Sequence, residues 1–209
     1  MTFYQFAIRI LQFIFHLFNG KSYVIGRENL PQDDTFILAA THRSYLDPIY
    51  IAIDLFPEEF SFMAKESLFD NFILNKLLRK AYVFPVNREK PSPKTIKHGV
   101  KQMTENQLNL GIFPSGSRYS TQVKSGTAFI QRLSKKAIVP VAIQPPLTTG
   151  QFFRRKKAKI AIGEPIIYDE SANYDKVKLA EVDNQIAQSF VDLDQQLDPS
   201  YLYTPPTKK

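Results

Sequence analysis

The chain has 209 residues, of which 44% are hydrophobic and 22% charged, a balance that predicts one globular domain and excludes a disordered or collagen-like protein. It has no cysteine, which excludes a disulfide framework, a thiol nucleophile and a thiolate metal site, and its three histidines lie far apart in sequence, which disfavours a zinc cluster. The formal net charge of +7 favours an anionic partner such as a phosphate group, a nucleic acid or an anionic membrane.

The first predicted element is a helix from Phe3 to Phe18, apolar except for one polar stripe. The stripe consists of Gln5, Arg9, Gln12 and His16. At a rise of about 1.5 Å per residue this helix is too short to cross a bilayer, and Asn19-Gly20 ends it. An aromatic-rich helix with a narrow polar stripe is typical of the membrane interface, although packing on the domain's own core produces the same pattern. No basic residue precedes it, so a signal peptide is disfavoured and we expect a peripheral or monotopic protein on the cytoplasmic face of the cell membrane.

Beyond Gly26, short apolar runs end in polar loops, which is typical of strands alternating with helices. The predicted strands cover residues 35–40, 60–64, 81–86, 110–113, 137–143 and 158–162. Helices are predicted from the Asp47-Pro48 pair, read as an N-cap and first turn, to residue 55, then at 68–78, around Ile96 to Met103, and at 126–133. This alternation predicts an α/β fold, in which ligands gather at the carboxyl ends of the strands.

The C-terminal third carries charge of both signs in separate segments. The basic cluster consists of Arg154, Arg155, Lys156, Lys157 and Lys159. It suits either an anionic lipid surface or an exposed hairpin tip. A final amphipathic helix is predicted from the apolar residues Val182, Ile186, Phe190, Leu193 and Leu197, in a segment that is strongly acidic. The tail at 199–209 is polar and contains proline, so we expect an extended or frayed end.

His42 and Asp47 lie five residues apart, across a predicted strand-to-helix loop. This spacing lets the carboxylate hold one imidazole nitrogen, which leaves the other nitrogen to accept a proton. Taken alone the spacing is a weak signal, because Asp47 has an alternative interpretation as a helix cap. Arg88 and the loop from Ser115 to Arg118 also follow predicted strands, so that all three loops meet at one site if the strands are parallel neighbours.

Four segments in order carry a resemblance to the glycerolipid acyltransferase family that includes the 1-acylglycerol-3-phosphate acyltransferases. The segments are His42-Arg-Ser-Tyr-Leu-Asp47, Tyr82-Val-Phe-Pro-Val-Asn-Arg88, Phe113-Pro-Ser-Gly-Ser-Arg118 and Ile138-Val-Pro-Val-Ala142, with Lys124-Ser-Gly126 matching a Lys-x-Gly that often follows the third. The first resembles the family's His-x4-Asp block. The resemblance implies a single-domain α/β fold with a mixed sheet flanked by helices, divided here into an interfacial helix at 1–20, an acyltransferase domain at 21–198 and a polar tail at 199–209.

The resemblance also implies acyl transfer from an acyl thioester, either acyl-CoA or acyl-ACP as co-substrate, to a lysophospholipid hydroxyl, with no bound cofactor or metal. His42 is then the general base, and Asp47 holds its tautomer. The expected substrate-binding residues are Lys65, Arg88, Ser115, Gly116, Ser117, Arg118 and Lys124, with the two arginines on the acceptor's phosphate. The expected partners are both substrates, an anionic membrane surface and acyl carrier protein, but no nucleic acid.

Ser115 departs from the family pattern, in which this position is usually glutamate. The departure implies a different acceptor head group, or the same acceptor bound through Ser115 and Ser117, or a loss of activity. The alternative function from another class is a non-catalytic protein that binds an anionic membrane or a nucleic acid, although the sequence contains no single-strand-binding aromatic motif or zinc finger.

Overall fold

The computed structural model describes residues 1–87 and 92–207. Its strands are β1 (Tyr23–Ile25), β2 (Ile37–Ala40), β3 (Phe60–Lys65), β4 (Val83–Val86), β5 (Asn109–Ile112), β6 (Ile138–Gln144) and β7 (Lys159–Ile162). Its α-helices are α1 (Phe3–Phe18), α2 (Asp47–Asp54), α3 (Phe72–Lys80), α4 (Pro93–Thr104), α5 (Gly126–Ser134), α6 (Thr149–Phe153) and α7 (Lys176–Leu197). Short 3-10 turns lie at Arg27–Asn29 and Glu66–Phe69.

The strands form one mixed seven-stranded sheet in the order β1-β7-β6-β2-β5-β3-β4. The five strands from β6 to β4 in this order run parallel, while β7 pairs with β6 in the antiparallel direction and β1 runs parallel to β7. The predicted α/β fold with a mixed sheet and an N-terminal helix is therefore confirmed. Since β2 and β5 are parallel neighbours, the loops after them emerge side by side, which meets the condition for two of the three loops that the sequence singles out. The strand before Arg88, β4, lies at the edge of the sheet and is separated from β5 by β3.

Helices cover both faces of the sheet, which explains why β2 and β6 are buried along their whole length. Side chains that alternate along β2 divide between the two faces: Leu38 packs with α1 and α2, and Ile37 packs with α4, α5 and α7. All five apolar residues that predict the final helix are buried in α7. The core therefore consists of two apolar layers separated by the sheet.

Local signals set the ends of α1 as predicted. The Thr2 hydroxyl accepts a hydrogen bond from the Gln5 N–H, and the Gln5 side chain accepts one from the Thr2 N–H, which together form a capping box. At the other end Gly20 has φ +89° and donates to the carbonyls of Phe15 and His16.

Several details differ from the sequence interpretation. The helix predicted at 68–78 is divided into the 3-10 turn Glu66–Phe69 and helix α3. Strand β1 and helix α6 are not predicted, because three and five residues are too few to show a period. Lys159 does not belong to an exposed basic cluster, since it is the first residue of β7 and its ammonium lies 3.0 Å from Asp198. The tail has no regular secondary structure up to residue 207, yet Tyr201 and Tyr203 are half-buried because both pack against Arg43.

Candidate active site

His42 and Asp47 form a hydrogen-bonded pair at the carboxyl end of β2. The Nδ1 atom of His42 lies 2.9 Å from Oδ2 of Asp47, whose side chain is 0% exposed, while the imidazole is 9% exposed. A buried carboxylate at this distance favours the tautomer with a proton on Nδ1. The Nε2 atom of the ring is then the nitrogen that can accept a proton.

Asp47 holds the whole loop that connects β2 to α2. Its Oδ2 atom also accepts the backbone N–H groups of Arg43 at 2.6 Å and Ser44 at 2.7 Å. The sequence interpretation of Asp47 as an N-cap is wrong: Leu46 occupies that position, makes no side-chain cap, and Asp47 is the first helical residue. Its carboxylate turns back onto the loop instead of capping α2, and so fixes the imidazole and two peptide groups together.

An aromatic stack fixes the plane of the His42 ring. The imidazole stacks on Phe113 with 4.2 Å between ring centroids, and Phe113 in turn lies parallel to Phe62 with a centroid distance of 6.2 Å. Gly111 makes room for this arrangement, because a Cβ atom there would lie 2.1 Å from the Phe62 ring. The stack ties the first motif to the third, which Phe113 begins.

The loop from Ser115 to Ser117 folds as a tight turn beside His42. Gly116 adopts φ +71°, and its N–H donates to the Phe113 carbonyl at 2.8 Å, so this N–H is already engaged. Ser115 is buried, and its hydroxyl donates to the Ser117 carbonyl at 2.8 Å. A Cβ atom on Gly116 would lie 3.3 Å from the Lys124 ammonium, which places that ammonium over the turn. Ser115, Gly116, Ser117 and Lys124 therefore lie together.

The remaining expected binding residues are divided. The Arg118 guanidinium lies over the Tyr45 ring, 3.4 Å from its centroid, a contact that joins the third motif to the first. Arg88 lies outside the described residues. Lys65 is exposed at the end of β3 and, within the part of the chain that the structure describes, lines neither of the two cavities at His42.

Arg43 is a buried residue that the sequence interpretation missed. Its guanidinium forms a two-pronged ion pair with Asp194 of α7, and Nη1 also donates to the Ile143 carbonyl at 2.7 Å. Burial alone would lower the pKa of Arg43, but the hydrogen bonds and the negative charge of Asp194 raise it. Because its charge is neutralised in this way, Arg43 anchors the His42 loop to α7 and is not placed to bind a phosphate.

Two cavities meet at His42. The first has a volume of about 470 Å³ and lies on the side of α4 and α5. Its mostly apolar lining includes Met63, Ile96, Ile112, Phe129 and Ile130, with Lys124 and Gly116 near His42. The second has a volume of about 440 Å³ and is more polar, lying between β2, α7 and the C-terminal segment. Its lining includes Thr41, Arg43, Ser115, Asp194, Tyr201 and Tyr203.

Helix α1 turns its polar stripe towards the protein. Gln5 donates to Glu59 at 2.8 Å, Gln12 donates to the Ile53 carbonyl at 3.0 Å, and Arg9 lies over the Phe56 ring. Tyr4, Ile8 and Phe15 are buried in the core. Apart from Arg9, the exposed side chains of α1 are apolar: Phe3, Phe6, Ile10, Phe13, Ile14, Leu17 and Phe18, which we call the outer face of α1.

The basic cluster lies at the C-terminal end of α1. Buried Asn19 donates to the carbonyls of Phe152 and Lys156, and the Arg155 guanidinium donates to the Leu17 carbonyl at 2.8 Å. Phe153, which is exposed, meets Phe18 of the outer face edge-on. Exposed aromatic and basic side chains therefore form one continuous surface here. Among the helices of residues 1–87 and 92–207, none combines the length and apolar character needed to cross a membrane.

Comparison with known proteins gives consistent matches. A family model described as Acyltransferase matches residues 21–144. A 1-acyl-sn-glycerol-3-phosphate acyltransferase of Bacillus subtilis is 36% identical over 198 residues, which cover 93% of this chain and 98% of that protein. One of Streptococcus pneumoniae is 33% identical, covering 93% of this chain and 74% of its own length. The crystal structure of the 1-acyl-sn-glycerophosphate acyltransferase PlsC from Thermotoga maritima matches 96% of this chain and 83% of that chain, with a TM-score of 0.69 at 18% identity, a likeness of fold.

Proposed function

This chain belongs to the acyltransferase family, and we propose that it moves a fatty acyl group from an acyl thioester to the free hydroxyl of lysophosphatidic acid or a related lysophospholipid. The observation that carries the proposal is the His42–Asp47 pair at the point where an apolar and a polar cavity meet. That arrangement suits a base that must reach both an acyl carbonyl and a polar acceptor.

The proposed chemistry is a direct transfer. Nε2 of His42 removes the acceptor hydroxyl proton while the oxygen attacks the thioester carbonyl. Asp47 keeps the tautomer and stabilises the imidazolium that forms, since its carboxylate lies 2.9 Å from Nδ1. The carbon–sulfur bond then breaks, the imidazolium of His42 returns its proton to the departing thiolate of CoA or of acyl carrier protein, and no acyl-enzyme is required.

The two cavities suggest how the substrates are arranged. An acyl chain fits the apolar cavity, because burial of its methylene groups there is favourable. The acceptor's polar head fits the second cavity beside the turn. Positive charge comes from Arg118, whose guanidinium lies over Tyr45, and from Lys124, whose ammonium lies over the turn on the side of the first cavity. Arg88, at the end of the second motif, is proposed as a further phosphate ligand on the strength of the family resemblance alone.

Ser115 in place of the usual glutamate bears on the acceptor. Its buried hydroxyl is used within the turn, in a bond to the Ser117 carbonyl, and supplies no charge to the second cavity. An acceptor that needs no carboxylate at this position is therefore favoured, and a panel of lysophospholipids that differ in head group is the appropriate substrate set.

We further propose that the protein works on an anionic membrane surface, through the outer face of α1 and the adjacent basic residues. A helix that presents seven apolar side chains and one charged side chain, Arg9, to the exterior exposes more apolar surface than water favours. This location would bring the site to lysophospholipids that are already in the bilayer, at the cytoplasmic face.

The test is an acyl-transfer assay with that acceptor panel, with acyl-CoA and acyl-ACP as donors, comparing the wild type with His42→Ala and Asp47→Asn. General base catalysis contributes on the order of 10²–10⁴-fold, so we expect His42→Ala to lose most of the turnover and Asp47→Asn to lose less, because the aspartate acts through the histidine. His98→Ala is the matched control, since His98 lies on α4 and bonds to Gln102. Thermal unfolding checks that each variant is folded.

Wild-type turnover by folded His42→Ala would contradict the mechanism. The non-catalytic alternative would be favoured instead if the wild type has no transferase activity and if His42→Ala binds a membrane or a nucleic acid as well as the wild type does.

A further inference from the structure

The C-terminal segment from Pro199 to Tyr203 forms one wall of the second cavity. Asp198, just before it, is held by Lys159 at 3.0 Å, and the Tyr201 N–H donates to the Asp198 carbonyl at 2.9 Å. The rings of Tyr201 and Tyr203 then lie 5.0 Å and 5.4 Å from the Arg43 guanidinium. Although it lacks regular secondary structure, the segment is therefore attached to the site at several points.

Tyr203 contacts both loops that carry the proposed chemistry. Its ring packs on Arg43, the neighbour of His42 in the first loop. Its hydroxyl donates a hydrogen bond of 2.9 Å to the backbone carbonyl of Arg118, at the end of the third motif. These two positions are far apart in sequence, and one side chain from near the end of the chain connects them.

The bond to Arg118 matters because the loop after β5 has no helix or strand of its own. The Gly116–Phe113 bond closes the turn at its start, and the Lys124 N–H donates to the Pro114 carbonyl at 3.1 Å. The Arg118 guanidinium is held over Tyr45, but its main chain is held by Tyr203. Loss of the phenol would therefore leave the guanidinium on a backbone that is free to shift.

The phenol is suited to this task over the whole physiological pH range. Burial raises the pKa of Tyr203, although the charges of Arg118 and Arg43 act against the rise, so the hydroxyl stays protonated and remains a donor.

We infer that Tyr203 is a positioning residue for the acyl acceptor, acting through the main chain of Arg118, and that the segment 199–203 belongs to the acceptor site. This segment lies outside the residues 21–144 that the family model matches. The inference rests on the proposed function, because it takes Arg118 to bind the acceptor's phosphate.

The test compares the full-length wild type with Tyr203→Phe, which removes the hydroxyl and keeps the ring on Arg43. Loss of one hydrogen bond in a positioning role predicts a rise of about fivefold in the KM for lysophosphatidic acid, with kcat and the KM for acyl-CoA within about twofold of wild type. The matched control is Thr204→Val, which removes a hydroxyl from the next residue, whose exposed side chain lines neither cavity in the described structure.

A second readout does not depend on activity. Amide hydrogen exchange between residues 115 and 119 should be faster in Tyr203→Phe than in the wild type and unchanged in Thr204→Val. Unchanged exchange in Tyr203→Phe would overturn the positioning role, and faster exchange with an unchanged acceptor KM would overturn its connection with the acceptor. A wild type with no transferase activity would refute the proposed function, while the exchange measurement would still report on the contact.

Discussion

At the scale of single residues, the candidate site depends on two carboxylates with different partners: Asp47 is fully buried, and Asp194 is 20% exposed. Asp47 Oδ2 accepts bonds from an imidazole and two peptide N–H groups, and Asp194 neutralises Arg43. In both cases the charge is balanced by donors on the loop after β2. A carboxylate of this kind organises its surroundings, whereas a buried carboxylate with few donors costs stability.

Asp54 is a carboxylate with few donors, and it leads to a prediction about how the stability of the fold depends on pH. Burial raises its pKa from 3.8 to about 6, although a hydrogen bond with Ser22 and the charge of Arg27 lower it. The folded protein therefore binds this proton more tightly than the unfolded chain, so the native state loses stability as the pH rises from about 4 to about 6. For Asp54→Asn we expect the free energy of unfolding at pH 7.5 to exceed that of the wild type by about 1–2 kcal/mol.

Urea denaturation at pH 4, 5, 6 and 7.5 measures this effect. The free energy of unfolding of Asp54→Asn, relative to that of the wild type, should increase from pH 4 to pH 6 and stay constant above pH 6. Asp33→Asn, which replaces an exposed carboxylate, serves as the control and should show no such growth. An advantage of the Asp54 variant that is the same at pH 4 and pH 7.5 would exclude ionisation as its cause.

At the scale of elements, α1 agrees with both interpretations of its sequence, a helix packed on the core and a helix at the membrane interface. One face packs on the core through Tyr4, Ile8 and Phe15, and the other presents aromatic and aliphatic side chains to the exterior. Removal of the whole helix would therefore expose the core as well as abolish the outer face. Single substitutions on the outer face separate the two roles.

Phe13→Ser is the clearest such substitution, because Phe13 is 69% exposed and its loss should leave the fold intact. Transfer of a phenylalanine side chain to an apolar medium contributes about 1.5–3 kcal/mol, so we expect binding to phospholipid vesicles to weaken by at least about tenfold. Vesicle flotation measures the effect, and thermal unfolding tests stability.

The control for Phe13→Ser is Val177→Ser, which removes an equally exposed apolar side chain from the start of α7. Vesicle binding that is equally weak in both variants, or unchanged in Phe13→Ser, would argue against α1 as the membrane-binding element.

At the scale of the whole molecule, the position of the positive charge matters more than its total. Arg154, Lys156 and Lys157 lie beside the end of α1, whereas Lys94, Lys97 and Lys101 lie on α4, on the opposite face of the sheet. We expect changing the first three to Gln to weaken binding to anionic vesicles by about 100-fold at low salt, at about 1 kcal/mol per charge. The same change on α4 should have little effect.

Flotation with neutral and anionic vesicles at several salt concentrations tests this expectation. The difference between the two triple variants should disappear at high salt and on neutral vesicles, because screening removes the electrostatic contribution. Equal loss in both variants would mean that net charge, and not the surface beside α1, determines binding.

Sequence patterns predict the parts of this molecule that depend on local periodicity or on motif order. The buried strands, the helix α7 and the pairing of His42 with Asp47 all follow from such signals. The environment of Arg43 could not be found in this way, because its partner Asp194 lies 151 residues further along the chain and nothing local marks either residue as buried. The wall formed by Tyr203 escaped prediction for the same reason, since a polar tail with three prolines resembles a frayed end.

The ion pair between Arg43 and Asp194 has a consequence for biosynthesis. The ribosome makes Arg43 151 residues before its counter-charge Asp194, and β1 likewise has to wait for β7 to complete its pairing. Until Asp194 has been translated, the nascent chain would have to bury an uncompensated guanidinium in order to assemble the loop of His42, which is strongly unfavourable. The loop of His42 is therefore completed only after Asp194 has been translated, so that a nascent chain that stops before α7 lacks an assembled His42 loop.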